Sequence, residues 1–339
     1  MIDLVFAACL VMLVVFAVVV SVHDAPNAVA LPARVRAVTP RIGVMLSAFF
    51  NLLGLGIAMF AMTTAGGSWV ALPQGAVGLG ILLCTLITGC CWELFTWWRG
   101  MPSSSTHAVI GGFFGGLWAA QSVGFGQFRS WALEMAGQVW VVLLAAPLAA
   151  FGLAWLLVPL LVRLFRHASP GQVDRNSRHL LTLGLSTISL GHGTFFGHRL
   201  MVLALLAFLG TGREFEGASA WMVFLALAGA MVLGTLGGGW RIAHTIGHRL
   251  VRMDPFRAAL AQLVSAGLNV LTGAVSHSPY SSSHLTAAAT LGAGANQRFT
   301  SVRVRTVTYM LVVWALTVPV CAVISGILFL ALSPVLELL

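Results

Sequence analysis

The sequence predicts an all-α membrane protein made of two inverted repeats of about five membrane segments each, with broken helices and re-entrant helical hairpins. The first observation is composition: 59% of the 339 residues are apolar and only 8% are charged, against about 25% charged in an average soluble domain. So few charges cannot form the solvated surface that a soluble protein needs. The other two observations are the spacing of the apolar segments and a polar motif that occurs twice.

Ten apolar segments make up most of the chain. A helix needs about 20 residues to cross a hydrocarbon core of about 30 Å. Six segments approach or exceed that length: residues 3–22, 42–62, 75–97, 138–162, 219–236 and 306–332. Four are shorter or interrupted: residues 103–122, 180–212, 258–276 and 284–296. The first segment has neither a positively charged start nor a small-residue cleavage site, so we expect a membrane helix rather than a cleaved signal peptide.

The basic residues indicate how the segments are oriented. All 18 of them are arginines. If each segment crosses once, one side of the membrane receives Arg34, Arg36, Arg41, Arg99, Arg163, Arg166, Arg175, Arg178, Arg241, Arg249, Arg252, Arg257, Arg298, Arg303 and Arg305. Arginine-rich loops face the cytoplasm, so we expect both termini on the opposite side of the membrane. We expect the membrane to be the inner membrane of a bacterium. Dispersed arginines without a clustered basic face argue against nucleic acid as a partner.

A basic linker divides the chain. Residues 163–179 separate residues 1–162 from residues 180–339, and each half then contains five segments. An odd number of crossings makes the second half enter the membrane in the opposite orientation. Inverted repeats of this kind are typical of secondary transporters, which bind their substrate where the repeats meet.

A rare polar motif, P-x-S-S-[ST]-H, occurs at residues 102–107 and again at residues 279–284. Each copy follows a polar interruption of an apolar segment, at residues 21–28 and at residues 191–199. Proline followed by hydroxyl residues is typical of a helix start, and a helix start inside a membrane offers free amides and a positive dipole end to an anion. We therefore expect two re-entrant helices whose N-termini form one anion site. The competing interpretation is that the hydroxyls only cap these helices.

Asp24 is the most informative single residue, because a carboxylate inside a membrane segment costs about 2.5–3.5 kcal/mol and is usually functional. Pro26 interrupts the helix beside it, and Asn27 adds a side-chain oxygen. These hard oxygen donors suit a small cation, unless Asp24 only caps a turn at the interface. His23 and His192 lie in the two interruptions, and histidine titrates near neutral pH.

Arg199 lies in the second interruption, apart from the basic loops. It is placed to pair with Asp24 or to meet an anionic substrate, unless it extends to the membrane surface. The predicted substrate-binding residues are Ser104, Ser105, Thr106, Ser281, Ser282, Ser283, Asn27 and Arg199. The predicted coupling-ion residues are Asp24, Asn27, His23 and His192. We expect no metal site and no cofactor, since the spaced pair His244 and His248 lacks a third ligand.

Three further polar residues lie in apolar segments. One of them has two interpretations, and the other two are expected to have structural roles. Glu93 is flanked by tryptophans and fits either the membrane interior or an interfacial aromatic belt. His107 and His284 occupy the same position of the duplicated motif, so we expect both to be hydrogen-bonded structural residues.

These motifs resemble those of the PiT family of inorganic phosphate transporters. The matching stretches are residues 23–28 (H-D-A-P-N-A), 100–112 (G-M-P-S-S-S-T-H-A-V-I-G-G), 238–247 (G-G-W-R-I-A-H-T-I-G) and 279–284 (P-Y-S-S-S-H). They follow the family's order over nearly the whole chain. The resemblance implies cation-coupled uptake of phosphate across the lipid bilayer by a homodimer, with a proton or sodium as the coupling ion.

The sequence shows three departures from the family's pattern, two at single residues and one at a pair. His23 stands where the family usually has asparagine, and Glu93 where an uncharged residue is common. Phe195 and Phe196 stand where the second repeat usually has Asn-Asp. Loss of that second acidic residue disfavours a sodium site, so we expect proton coupling rather than sodium coupling.

Three other functions fit parts of the sequence. The same donors would serve sulfate or another tetrahedral oxyanion. A protein that kept the fold but lost its coupling site would act as a sensor or regulator. A serine hydrolase would pair Ser104 with His107, or Ser281 with His284, but no nearby carboxylate orients either histidine. We therefore expect no enzyme activity.

Overall fold

The computed structural model describes residues 2–65, 72–126, 129–275, 280–295, 297 and 302–336, and most of these are helical. The helices are α1 (Ile2–Arg34), α2 (Pro40–Ala65), α3 (Ala76–Arg99), α4 (Ser105–Ser122), α5 (Arg129–Leu164), α6 (Pro170–Gly210), α7 (Gly217–Gly237), α8 (Trp240–His244), α9 (Pro255–Val275), α10 (Ser282–Ala295) and α11 (Val304–Leu336). A π-helical segment, Thr245–Leu250, follows α8. In the described part of the chain, seven helices are long and apolar enough to cross a membrane: α1, α2, α3, α5, α6, α7 and α11. The chain is a multi-pass membrane protein, as predicted.

Two helical hairpins, α3–α4 and α9–α10, carry the duplicated motif at their turns. Helix α3 ends at Arg99 because Gly100 adopts a left-handed φ of +67°, and residues 101–104 then lead into α4. The returning helix of the second hairpin, α10, has 14 residues. At about 1.5 Å per residue it spans roughly 21 Å, less than a hydrocarbon core of about 30 Å. A helix of this length is too short to cross the membrane by itself, as expected for one arm of a re-entrant hairpin.

The two hairpins open toward opposite ends of the bundle. Helix α4 ends near the start of α1, because α4 packs back along α3 and the start of α3 contacts the start of α1, where the Cys9 thiol donates a 3.3 Å hydrogen bond to the Leu79 carbonyl. At the other end, where α1 finishes beside the π-helical segment, α10 is followed by Gln297, whose Nε2 donates a 2.6 Å hydrogen bond to the Arg252 carbonyl. The halves also exchange partners, since α4 packs against α11 and α10 packs against α5. The architecture is that of two inverted repeats.

The predicted interruption at residues 191–199 does not break its helix. Helix α6 runs for 41 residues, from Pro170 to Gly210. Its glycines serve close helix packing instead: a Cβ added at Gly193 would lie 2.1 Å from the Asn51 carbonyl oxygen of α2. Small residues let two backbones approach in this way inside a membrane.

The predicted interruption at residues 21–28 is also continuous helix, since α1 runs through Pro26. Proline removes one intrahelical hydrogen bond and leaves the Val22 carbonyl without that partner. The backbone of α7–α8 covers this carbonyl, because a Cβ added at Gly239 would lie 2.1 Å from it. The helix break is found there instead: Gly238 and Gly239 have φ values of +80° and +49° and separate α7 from α8.

Two large apolar clusters join the halves. One contains Phe16 and Phe113 of the first half with Phe196 of the second. The other contains Ala154 of the first half with Leu285 of the second. The repeats therefore fold as one body, with the hairpin turns between them.

Candidate functional site

The two copies of the polar motif meet at the hairpin turns. Thr106 Oγ1 donates a 2.9 Å hydrogen bond to the Tyr280 carbonyl, and the rings of His107 and His284 have centroids 5.1 Å apart. The N-termini of α4 and α10 therefore lie close together, as the duplication predicts. Pro279, the first residue of the second copy, lies outside the described residues, as does Arg298 of the basic loops.

A serine of the motif caps each helix. Ser104 Oγ accepts a 3.3 Å hydrogen bond from the His107 amide, and Ser281 Oγ accepts one of 3.2 Å from the His284 amide. These caps satisfy one orphan amide at each helix start. Capping therefore occupies the hydroxyl oxygens of Ser104 and Ser281. The residues that follow each cap do not serve as caps.

A small cavity lies at each helix start. The cavity at α4 is lined by Phe16, Ser105, Thr106, Val109, Phe196, Arg199 and Leu203. The cavity at α10 is lined by Asp24, Ala25, Asn27, Ala28, Ser47, Asn51, Ile188, Ser189, His192 and Ser282. One cavity thus contains a guanidinium and the other a carboxylate, so the two helix starts differ in their charged neighbours.

Arg199 is directed at the start of α4. Its Nη1 donates to Thr106 Oγ1, and its guanidinium carbon lies 5.6 Å from the centroid of the Phe196 ring. It does not pair with Asp24, whose ion-pair partners among the described residues are His23 and His192. A guanidinium beside a helix N-terminus is suited to an anion with several oxygens.

Asp24 is buried in α1 and contacts the second hairpin. Ser283 Oγ donates a 3.0 Å hydrogen bond to Asp24 Oδ1, and Asp24 Oδ2 lies 3.8 Å from His192 Nδ1. Asn27 donates to Ser283 Oγ at 2.9 Å, while its own Oδ1 has no hydrogen-bond partner among the described residues. This placement excludes an interfacial turn cap. A buried carboxylate beside an unpaired amide oxygen can hold a proton or a small cation.

A second carboxylate joins this cluster. Glu93 of α3 is fully buried, and its Oε2 lies 3.0 Å from His23 Nδ1. The same nitrogen is hydrogen-bonded to Asp24 Oδ1 at 3.1 Å. His23 Nε2 lies 3.2 Å from both Thr96 Oγ1 and Ser103 Oγ. Glu93 is therefore a residue of the bundle interior, which decides between the two interpretations that the sequence left open.

The two phenylalanines of α6 occupy apolar positions beside the cluster. Phe196 stacks on His192 with ring centroids 5.0 Å apart. Phe195 lies 5.8 Å from the Tyr280 ring, and a Cβ added at Gly273 would collide with it. The pair contributes no side-chain oxygen, so the oxygens of the cluster come from α1, α3 and the hairpins.

The expectation that His107 and His284 are hydrogen-bonded is wrong. Their ring nitrogens have no hydrogen-bond partner in the part of the chain that the structure describes. His284 stacks instead on Trp314, with ring centroids 3.8 Å apart. Both imidazoles are buried among aromatic and apolar groups, where packing takes the place of polar contacts.

Five residues of the site were not singled out from the sequence. Ser103 and Thr96 lie beside His23; Ser103 is the variable second residue of the first motif copy, and Thr96 lies shortly before that copy. Ser47 and Asn51 line the cavity at α10; their signal was a polar side chain in an otherwise apolar segment. Ser189 Oγ donates a 2.9 Å hydrogen bond to Ser47 Oγ and so joins α6 to α2.

Comparison with known proteins identifies similar phosphate transporters. A family model described as the phosphate transporter family matches the chain twice, over residues 20–179 and over residues 166–325. A protein of Bacillus subtilis (strain 168) named "Probable low-affinity inorganic phosphate transporter" is 30% identical over 325 residues, which is 92% of each chain. A protein of Rhizobium meliloti (strain 1021) with the same name is 32% identical over 314 residues, 91% of each chain.

A solved structure titled "The sodium-dependent phosphate transporter" shares the fold. Its TM-score is 0.75 over 97% of this chain and 99% of that one, at 17% sequence identity. The double match of the family model agrees with the two repeats seen in the helices. On the family model and the curated relatives, this chain belongs to the phosphate transporter family.

Proposed function

We propose that this protein is a secondary active transporter that imports inorganic phosphate across the inner membrane of a bacterium, coupled to protons. The observation that carries the proposal is the meeting of two helix N-termini beside Arg199. A tetrahedral anion bound there would accept hydrogen bonds from the guanidinium, from helix-start amides and from the hydroxyls of Ser105 and Ser282. The Thr106 hydroxyl would join them on leaving the Tyr280 carbonyl. Charge-assisted hydrogen bonds of this kind contribute about 1.5–3 kcal/mol each.

Asp24 supports coupling to a cation. It contacts Ser283 at the start of α10, so its charge acts directly on the proposed anion site. A proton on Asp24 removes a negative charge that repels phosphate. His23 lies beside Oδ1 of this carboxylate and His192 beside Oδ2. An imidazole can accept and release a proton, which makes these two residues the proposed route to Asp24.

Sodium is the competing coupling ion. The solved structure with this fold has "sodium-dependent" in its title, and Asp24 and Asn27 offer oxygen ligands. Against sodium, Phe195 and Phe196 provide only weak cation–π attraction, where several oxygen ligands are needed. The proposal therefore favours protons.

The proposal also includes the orientation of the chain in the membrane and its assembly as a homodimer. Arginine-rich loops are retained in the cytoplasm, so we place the 163–179 linker and the loops around α8 and α10 on that side. The family resemblance implies a homodimer, which we include in the proposal.

The geometry disfavours a serine hydrolase. Ser104 Oγ is engaged by the amide of its own helix, and the His107 ring nitrogens contact no hydroxyl of the described residues. A nucleophilic serine needs a base within hydrogen-bond reach. Transport of another oxyanion and a sensor without transport are outcomes of the test below.

Uptake of labelled phosphate into proteoliposomes tests the proposal. We expect accumulation when the outside is more acidic than the inside, with choline as the only other cation. Excess sulfate should compete weakly. Accumulation of sulfate in place of phosphate would assign another substrate, and the absence of uptake under pH and sodium gradients alike would favour a sensor.

A further inference from the structure

Glu93 is a buried carboxylate that the proposed phosphate site does not use. Its side chain is 0% exposed, and its ion-pair contact is with His23 of α1, with 3.0 Å between Oε2 and Nδ1. The Ser103 hydroxyl, in the turn of the first hairpin, lies 3.4 Å from each carboxylate oxygen. No arginine of the described residues lies within ion-pair distance of Glu93. A buried carboxylate in such surroundings must share a proton or carry one.

One ring nitrogen lies between two carboxylates. His23 Nδ1 is hydrogen-bonded to Asp24 Oδ1 at 3.1 Å and lies 3.0 Å from Glu93 Oε2. A single N–H donates fully to only one of them. While it serves Asp24, a proton on Glu93 removes the charge that would otherwise be buried there. Once Asp24 is neutral, the N–H can turn to Glu93, which then carries the charge.

The two carboxylates differ in their other donors. Asp24 also accepts from Ser283 at 3.0 Å, and His192 Nδ1 lies 3.8 Å from its second oxygen. Apart from His23, the hydrogen-bond donor to Glu93 among the described residues is the Ser103 hydroxyl, at 3.4 Å. Hydrogen bonds and positive charge favour the ionised form of a carboxyl group. In the conformation seen here, Asp24 is thus the group that keeps the charge and Glu93 the group that holds the proton.

We propose that Glu93 is a second proton-exchanging residue and that His23 connects it to Asp24. The inference rests on the proposed proton coupling and extends it from one carboxyl group to a pair. A proton that binds Asp24 releases the His23 N–H, which turns to Glu93. Glu93 then transfers its proton to Ser103 Oγ while the Ser103 hydroxyl passes its own proton to a water molecule at the first hairpin turn. One proton enters the pair and one leaves it, so the proton count is constant while the negative charge moves from Asp24 to Glu93.

This transfer of charge reaches both hairpins. Asp24 contacts the second hairpin through Ser283, and Glu93 contacts the first through Ser103. The negative charge is therefore exchanged between a group that contacts α10 and a group that contacts the turn before α4. Such an exchange can alternate which hairpin is held in place during transport.

Other titratable groups lie around the pair. The thiols of Cys90 and Cys321 lie near Glu93, while His192 and Arg199 lie on the Asp24 side. Glu93→Gln leaves all of them in place, because glutamine has nearly the same shape and no carboxyl proton. That substitution isolates the exchangeable proton of Glu93.

Two measurements on proteoliposomes containing the full chain test the inference. The first is phosphate accumulation driven by a pH gradient, and the second is exchange of internal for external labelled phosphate without any gradient. In Glu93→Gln we expect accumulation to fall at least tenfold while exchange persists. Glu214→Gln, in the exposed loop between α6 and α7, should behave as wild type in both assays.

Accumulation in Glu93→Gln equal to that of wild type overturns the inference and leaves the proposed transport intact. Absence of wild-type phosphate uptake, in contrast, overturns the proposed function itself. If Glu93→Gln does not elute as a folded protein, Glu93→Asp and His23→Gln replace it. Accumulation should survive in Glu93→Asp, which keeps a carboxyl group, and be lost in His23→Gln. Equal accumulation in the two variants contradicts the proposed proton exchange between Glu93 and Asp24 through His23.

Discussion

His107 and His284 face each other where the two hairpins meet, with ring centroids 5.1 Å apart. His284 also stacks on Trp314 at 3.8 Å. Both histidines are buried, with 0% and 1% exposure, and their ring nitrogens have no hydrogen-bond partner among the described residues. Equivalent residues of the two repeats therefore pack on each other across the centre of the molecule.

Replacing His284 should affect stability according to the shape of the new side chain. His284→Ala leaves a cavity beside Trp314 and should lower the free energy of unfolding by about 2–4 kcal/mol. His284→Phe keeps a ring of similar size, and the loss should be below about 1.5 kcal/mol. Unfolding in detergent, with the exposed His179→Ala as control, measures both. A loss in the phenylalanine variant equal to that in the alanine variant would show that the imidazole nitrogens, which both variants lack, matter more than ring packing.

The two helix starts should share the bound anion. Ser105→Ala with Ser282→Ala removes one hydroxyl from each, and at about 1.5–3 kcal/mol per charge-assisted hydrogen bond phosphate binding should weaken a hundredfold or more. Calorimetric titration of the purified protein gives the Kd, and Ser219→Ala, at the distant start of α7, is the matched control. Wild-type affinity in the double variant would remove these hydroxyls from the site.

Local sequence predicted the hairpin turns well. The order proline, hydroxyl residues, histidine determines a helix start through contacts within a few residues, and Ser104 and Ser281 cap their helices in the same way. The duplication itself indicated that the two starts belong to one site.

Other features depend on partners that are distant in sequence. Residues 21–28 and 191–199 contain proline and glycine, which disfavour helix in an isolated segment, yet α1 and α6 are continuous because neighbouring backbones cover them. The sequence alone did not determine that Glu93 is buried, since the aromatic residues around it fit both a membrane interface and a core. Its contact with His23 joins residues 70 positions apart in sequence, and only the packing of α1 on α3 brings them together.

Close packing of α6 on α2 can be tested at one glycine. Because a Cβ at Gly193 would lie 2.1 Å from the Asn51 carbonyl oxygen, Gly193→Ala should force the helices apart and cost about 1–3 kcal/mol or more. At Gly229 a Cβ would meet nothing within 4 Å, so Gly229→Ala should be neutral or stabilise α7 by about 0.5–1 kcal/mol. Thermal unfolding in detergent compares the two. Equal effects would contradict the close contact.

The proposed orientation can be tested by cysteine labelling. In a Cys91→Ser background, which removes the exposed native thiol, His167→Cys lies in the basic linker and Ala218→Cys at the opposite end of the bundle; both positions are exposed. An impermeant maleimide added to intact cells should label position 218 and reach position 167 only after the membrane is opened. The reverse pattern would place the arginine-rich loops outside.

The coupling ion is tested most directly at Asp24. The Phe195–Phe196 pair offers no oxygen to a second cation, and Asp24 is flanked by His23 and His192, which can deliver protons. We therefore expect uptake to follow the pH gradient, to be unchanged when choline replaces sodium, and to be abolished in Asp24→Asn, which keeps the shape of the side chain but cannot be ionised. Asp174→Asn, in the exposed start of α6, is the matched control and should transport as wild type. Uptake that follows the sodium gradient at fixed pH would instead make Asp24 and Asn27 ligands of a sodium ion, and the inference from the missing second carboxylate would be wrong.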